Sequence, residues 1–202
     1  PSGNFPAQRS LSVFSKAVTF DTNGFDVTRS NATASNSAVF IVSGNNLTIT
    51  GDGTLTSENA AGTTGSAIWV QSNGTLTLNG ATLSGGDSSV WLNSGTTTSA
   101  NFTMNSGTLT DGLTITGVYH TTVINGGLIR DDDGVYSPIS SNASSGGTIT
   151  INGGEINGGN LLAIYHPQNG TLNINGGTIT GAVGIEMRQG TLNIADDPAL
   201  IG

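Results

Sequence analysis

Leu76-Thr77-Leu78-Asn79-Gly80-Ala81-Thr82-Leu83-Ser84-Gly85 returns as Leu172-Asn173-Ile174-Asn175-Gly176-Gly177-Thr178-Ile179-Thr180-Gly181, and again at Ile149 to Gly158. Looser copies run from Leu47 to Ser57, Phe102 to Asp111, Val123 to Asp131 and Leu192 to Gly202. A phrase recurring at this interval is the signature of a solenoid. Within it apolar and polar residues alternate, which argues for strands with one buried face. Leu76 and Leu78 point one way and Thr77 the other; Gly80 permits a tight turn, and Leu83 anchors a second strand. Ala67-Ile68-Trp69-Val70-Gln71 precedes them as a third strand, with Ile68 and Val70 inward. Three short strands per repeat, joined by turns, make one rung of an all-β, single-chain parallel β-helix.

The anchors of successive rungs are Val18, Leu47, Leu76, Phe102, Thr122, Ile149, Leu172 and Leu192. Their separations vary, so the turns differ in length over a constant core. Eight coils at a strand spacing of about 4.8 Å predict a rod of roughly 35–40 Å. Residues 1–16 depart from the repeat and are expected to cap or lead into a helix domain spanning 17–202. The stretch from Ala195 to Gly202 reads as a broken last rung with Pro198 at an edge. One turn of each rung is minimal and carries Asn79, Asn105, Asn125, Asn152 and Asn175. Stacked in register these would form an amide ladder; the competing reading is that Asn merely tolerates a left-handed turn.

The chain has 202 residues, 31 of them Gly, no Cys, 9% charged residues and a net charge of −8. The periodic aliphatics distinguish it from a disordered chain of similar polarity. Five Lys and Arg cannot build a phosphate-tracking surface, so nucleic acid is excluded as a partner. No apolar run is long enough to span a bilayer, so membrane insertion is not expected. Without Cys there are neither disulfides nor thiolate metal sites. With no leader pattern and Pro1 in first place, the sequence reads as a piece of a longer protein.

The phrases Thr75 to Gly80 and Gly176 to Gly181, with Val18-Thr19-Phe20-Asp21-Thr22-Asn23-Gly24-Phe25-Asp26-Val27 as a first coil, resemble the pectate-lyase-like right-handed parallel β-helix of bacterial cell-surface adhesins. The resemblance covers roughly residues 12 to 202. It implies an extracellular location, at a bacterial surface or secreted, and a glycan or host-surface ligand. The same fold carries lyases, hydrolases and tailspikes, so it does not by itself decide activity.

Ala67-Ile68-Trp69-Val70 aligns with Ala163-Ile164-Tyr165-His166 without a gap through Leu76 and Leu172, and Ala38-Val39-Phe40-Ile41 fits the same register to Leu47; the outward position beside each inward aliphatic is then Phe40, Trp69, Trp91, Thr114, Tyr136, Tyr165 and Glu186. Five of the chain's eleven aromatics (six Phe, three Tyr, two Trp) therefore share one face. The adjacent polar row holds Gln71, Asn93 and Thr116, with Arg188 near its end. Aromatic faces suit the C–H surfaces of sugars, and amides beside them suit sugar hydroxyls. The expected site is a ligand groove of Phe40, Trp69, Gln71, Trp91, Asn93, Tyr136, Tyr165 and Glu186. Two other readings stay open: the chain's own loops cover the stripe, or the stripe is a protein interface.

Catalysis would need paired carboxylates over the groove. The row offers only Glu186, and the best constellation is Asp111 with Arg130 and Asp131 on adjacent rungs. Asp131, Asp132 and Asp133 form the strongest acidic run, either a solvated turn or a Ca²⁺ site, though Ca²⁺ requires six or more oxygens. Asp196-Asp197 is a weaker case. His120 and His166 have no partner at metal-ligand spacing, and calcium is the one cofactor considered. A non-catalytic binding module is expected, against a polysaccharide-degrading enzyme or a trimeric tailspike-type fibre. The Thr rows led by Thr48 and Thr54 are interrupted and do not support ice binding; Thr suits any exposed strand position.

Overall fold

A computed structural model of the chain describes residues 3–5, 10–13, 15–32, 37–59, 65–141, 146–195 and 198–201. Every regular element among them is a β-strand, and all the strand pairings are parallel. No helix among the described residues is long and apolar enough to cross a membrane. The chain is a parallel β-solenoid of about six turns. The sequence leads to an expectation of eight coils, and the turn count falls short of it, although the smaller sheet, called the groove-side sheet below, has eight strands. The first and last of these have a neighbour on one side only, and the enclosed turns come nearer to six.

The groove-side sheet stacks Leu11–Val13, Ser37–Ser43, Gly65–Gln71, Ser88–Leu92, Leu113–Ile115, Ile139–Ser141, Leu162–His166 and Val183–Met187 in sequence order. The other strands join in one 15-stranded sheet, because Gly74–Gly85 and Ser99–Leu109 run through the minimal turn without a break. All eight anchors pair in the expected register, Val18 to Leu47, Leu47 to Leu76 and onward to Leu172 and Leu192. Gly3–Phe5 pairs with Val27–Ala32, and Leu11–Val13 with Ser37–Ser43. The N-terminal lead-in thus already contributes strands to the solenoid.

Inward side chains form one continuous core. Leu47, Leu76, Leu78, Leu83, Leu92, Leu109, Ile149, Ile156, Leu172 and Ile179 are all fully buried. Each coil's aliphatics are shielded by the coils on either side, so nearest-neighbour stacking supplies the stability that no single rung holds.

The minimal turns do carry an amide ladder. The side-chain amide of Asn105 donates to Oδ1 of Asn79, Asn125 to Asn105, Asn152 to Asn125 and Asn175 to Asn152, each at 2.8 Å. None of these Asn residues has a positive φ, so left-handed tolerance does not explain them. The glycines that follow do that work. Gly154 and Gly177 sit at φ +86° and +88°. A Cβ on Gly153 or Gly176 would lie 2.8 or 2.7 Å from the Asn carbonyl oxygen one rung below. The Asn-Gly-Gly phrase is therefore a stacking device: one amide to bond the next rung, one residue without a side chain in its path, and one to reverse the chain.

Candidate functional site

At one margin of the eight-stranded sheet Val39, Ala67, Ser89, Pro138 and Ala163 are buried. The ends of the third strands approach the main chain there: a Cβ on Gly85 would meet the backbone of Ala67, and one on Gly158 would fall 2.9 Å from that of Ala163. The row two residues further along these strands holds the tryptophans, is half-buried and forms the floor of this face.

The floor row in the observed register is Ile41, Trp69, Trp91, Thr114, Ser140, Tyr165 and Glu186. Two expected members are corrected. Phe40 pairs with Ile68, and Ile41 pairs with Trp69. The turn Gly44-Asn45, between paired Ser43 and Asn46, is one residue shorter than Ser72-Asn73-Gly74, between paired Gln71 and Thr75. A gapless alignment slips by one position, and one position exchanges the faces of a strand. Phe40 is in the core, 4% exposed, its ring 5.2 Å from that of Phe20. Tyr136 lies outside the sheet, in the turn after Arg130, and Ser140 takes its place on the floor.

Trp69 and Trp91 are registered neighbours, half-buried, with ring centroids 5.0 Å apart and planes within 15°. Parallel rings in contact at about 3.5 Å must be offset by a similar amount to reach that centroid distance. The indoles thus overlap like shingles, and both remain half-buried. Trp91 Nε1 donates to Oγ1 of Thr116 at 2.8 Å, which fixes its tilt, whereas Trp69 Nε1 is buried without a partner. Gln71 and Asn93 lie beside the pair, both half-buried. Beyond Trp91 the floor drops to Thr114 and Ser140. Tyr165 stands three rungs on, about 14 Å away at the spacing of parallel strands. The Arg188 guanidinium lies 5.1 Å from the Tyr165 ring centroid and pairs with Glu186 at 2.7 Å. The row is therefore a two-indole platform and a separate Tyr165–Glu186–Arg188 group rather than one continuous stripe.

The acidic residues beside the groove are occupied with holding turns. Asp111 and Asp131 are bridged through their backbones on adjacent rungs, as the sequence implied. Oδ2 of Asp111 accepts from Ser84 Oγ at 3.0 Å, from Gly85 N at 2.8 Å and from Thr110 Oγ1 at 2.8 Å. Oδ2 of Asp131 accepts from the backbone amides of Val135 and Tyr136 at 2.8 and 2.7 Å. Burial pushes the Asp131 carboxyl above its ordinary range, the two amides oppose this, and the negative charges of Asp133 and Asp111 add to it. Arg130 pairs with Asp132 at 2.6 Å. Among the described residues no three His, Asp or Glu side chains converge as a metal site, and Asp196-Asp197 lies outside those residues. His120 and His166, isolated in sequence, both turn inward and are buried.

No family model, curated protein or solved structure matches the chain.

Proposed function

We propose that the protein is a non-catalytic binding module of an extracellular bacterial adhesin, attaching to glycan through the Trp69–Trp91 platform and the polar side chains beside it. The observation that carries this reading is the placement of both tryptophans of the chain. They are stacked on one outward face and partly open to solvent. A pyranose ring laid across the shingled indoles buries its C–H face, and Gln71, Asn93 and Thr116 offer donors and acceptors to its hydroxyls. Tyr165, Glu186 and Arg188 form a second contact point for a longer chain lying along the solenoid axis. The net charge of −8 favours neutral over anionic saccharides. The pectate-lyase-like resemblance fits this setting, while Asp111 and Asp131, spent on turn hydrogen bonds, give no support to a catalytic version of it.

Both indoles of the chain lie on the platform, so intrinsic fluorescence reports binding directly. A glycan array followed by fluorescence titration of the best ligand tests the reading. Trp69→Ala and Trp91→Ala are each expected to weaken binding about 5- to 30-fold, as loss of an aromatic contact worth about 1–2 kcal/mol implies. Unchanged affinity in both variants would remove the platform as the site.

A further inference from the structure

One corner of the solenoid core gathers polar side chains that two imidazoles share. In the inward row that begins Val42, Val70, Leu92 and Ile115, the next positions are Ser141 and His166, followed by Met187. His120 enters the same corner from Tyr119–Ile124, and Gln168 from the turn after Leu162–His166. Gln168 Nε2 lies 3.1 Å from His120 Nε2 and also contacts Ser141 Oγ. His120, Ser141, His166 and Gln168 are each no more than 4% exposed. The hydrogen-bonding capacity of the corner is not met: Nδ1 of His120, both ring nitrogens of His166 and Oε1 of Gln168 have no partner, nor has Oγ1 of the neighbouring Thr122.

We propose that this corner is an acid-sensitive seam: protonation of its imidazoles below neutrality opens the coils that carry Tyr119–Ile124, Ile139–Ser141 and Leu162–His166, while the coils bearing Trp69 and Trp91 stay closed. A buried imidazolium needs a hydrogen-bond acceptor for each N–H and a counter-charge. The described elements packed around the corner supply no counter-charge, and their acceptors are neutral oxygens, those of Gln168, Ser141, Thr122 and the Gly170 main chain. Ala100 faces His120 from one neighbouring strand, and the main chain at Gly147 packs against its ring from the other. Ser141 and Met187 flank His166 along its row. The only titratable group facing either ring among the described residues is the other ring, which repels a second proton.

Burial lowers the His120 pKa to about 4, with the Gln168 hydrogen bond opposing and the charge of His166 adding. Burial lowers that of His166 too, opposed by the Gly170 backbone. A histidine whose folded pKa lies below its unfolded value of about 6.5 contributes stability that is complete above pH 6.5. That stability is lost as pH falls toward the folded pKa. The consequence is local because solenoid coils are coupled mainly to their nearest neighbours. His166 is adjacent in sequence to Tyr165, so opening this strand withdraws the Tyr165 end of the groove floor. The seam itself does not depend on what the groove binds.

Hydrogen exchange of the whole chain at pH 7.5 and 5.0, corrected for intrinsic rates, is the test. Both pH values lie above the ordinary carboxylate range; Asp131, which burial pushes above that range, is the exception, and the response that survives in the double histidine variant measures its share. His120 alone is expected to raise the opening constant about 30-fold at pH 5.0 in Tyr119–Ile124, Ile139–Ser141 and Leu162–His166, and His166 adds to this. Gly65–Gln71 and Ser88–Leu92 are expected to keep their protection. The double variant His120→Gln, His166→Met should lose the pH response in those strands. An unchanged wild-type pattern, a loss spread evenly over all coils, or an equal response in the double variant overturns the proposal. Should the double variant not fold, the location of the wild-type response decides alone.

Discussion

Every Asn of the ladder beyond Asn79 is exposed, where water could serve its amide equally well, so its worth lies in being held in line rather than in being buried. Asn125 donates to Asn105 and accepts from Asn152, both at 2.8 Å. Asn175, at the end, donates to Asn152, and no further ladder Asn stacks on it. A net intramolecular hydrogen bond is worth about 0.5–1.5 kcal/mol. Asn125→Ala should therefore cost about 1–2 kcal/mol and Asn175→Ala about half of that, measured as the fall in urea midpoint at constant slope. Equal and negligible losses at both positions would mean that the amides only decorate the turn. The contrast between the two positions is the informative quantity, because both substitutions change turn propensity in the same way.

At the scale of strands and turns, alternation made the fold legible and turn length limited the site. The anchors from Val18 to Leu192 are open to a simple reading because each, Thr122 excepted, begins a phrase of alternating apolar and polar residues. The row from Trp69 to Glu186 was legible where an outward residue stands beside unmistakable inward aliphatics, as at Trp69, Trp91, Thr114, Tyr165 and Glu186. It failed at Phe40, where Gly44-Asn45 is one residue short, and at Tyr136, where a polar turn interrupts the alternation before Ile139. Neither event leaves an apolar signature, and a sheet reports a single-residue slip only through which face is buried. The seam was half visible: His166 stands where Val70 stands in the matching phrase, but its meeting with His120 depends on a corner that no sequence spacing encodes. The carboxylate of Asp111 belongs to this scale too, because it ties the turn at Gly85 to the one at Thr110. Three hydrogen bonds to one carboxylate oxygen make Asp111→Ala cost about 2–3 kcal/mol. Asp111→Asn, which keeps an acceptor, should cost less. Neither substitution should alter affinity for whatever ligand the Trp69–Trp91 platform binds. A loss of some enzymatic turnover in Asp111→Asn without loss of stability would instead restore this residue to a catalytic role.

For the whole molecule, stability should be graded along the axis. Leu78 is fully buried, with a coil on either side, and its strand pairs with both neighbours. Leu192 occupies an inward position in the last of its stack and remains 38% exposed, as Ile194 does at 49% and Leu200 at 44%. Truncating a buried leucine costs about 2–5 kcal/mol through lost transfer energy and the cavity left behind. At Leu192 the transfer term is already partly forfeited and no closed cavity forms. Leu78→Ala should therefore cost several-fold more than Leu192→Ala in denaturant unfolding. Amide protection should be greatest around Gly74–Gly85 and Ser99–Leu109 and decline toward Thr191–Ile194. The long strands in the middle reinforce this, since each spans a minimal turn without interrupting its pairing. A single flat level of protection from end to end, with equal costs for the two leucines, would show that the coils unfold as one unit. A seam confined to a few coils could not then exist, so this measurement also sets the condition under which the acid response of His120 and His166 stays local.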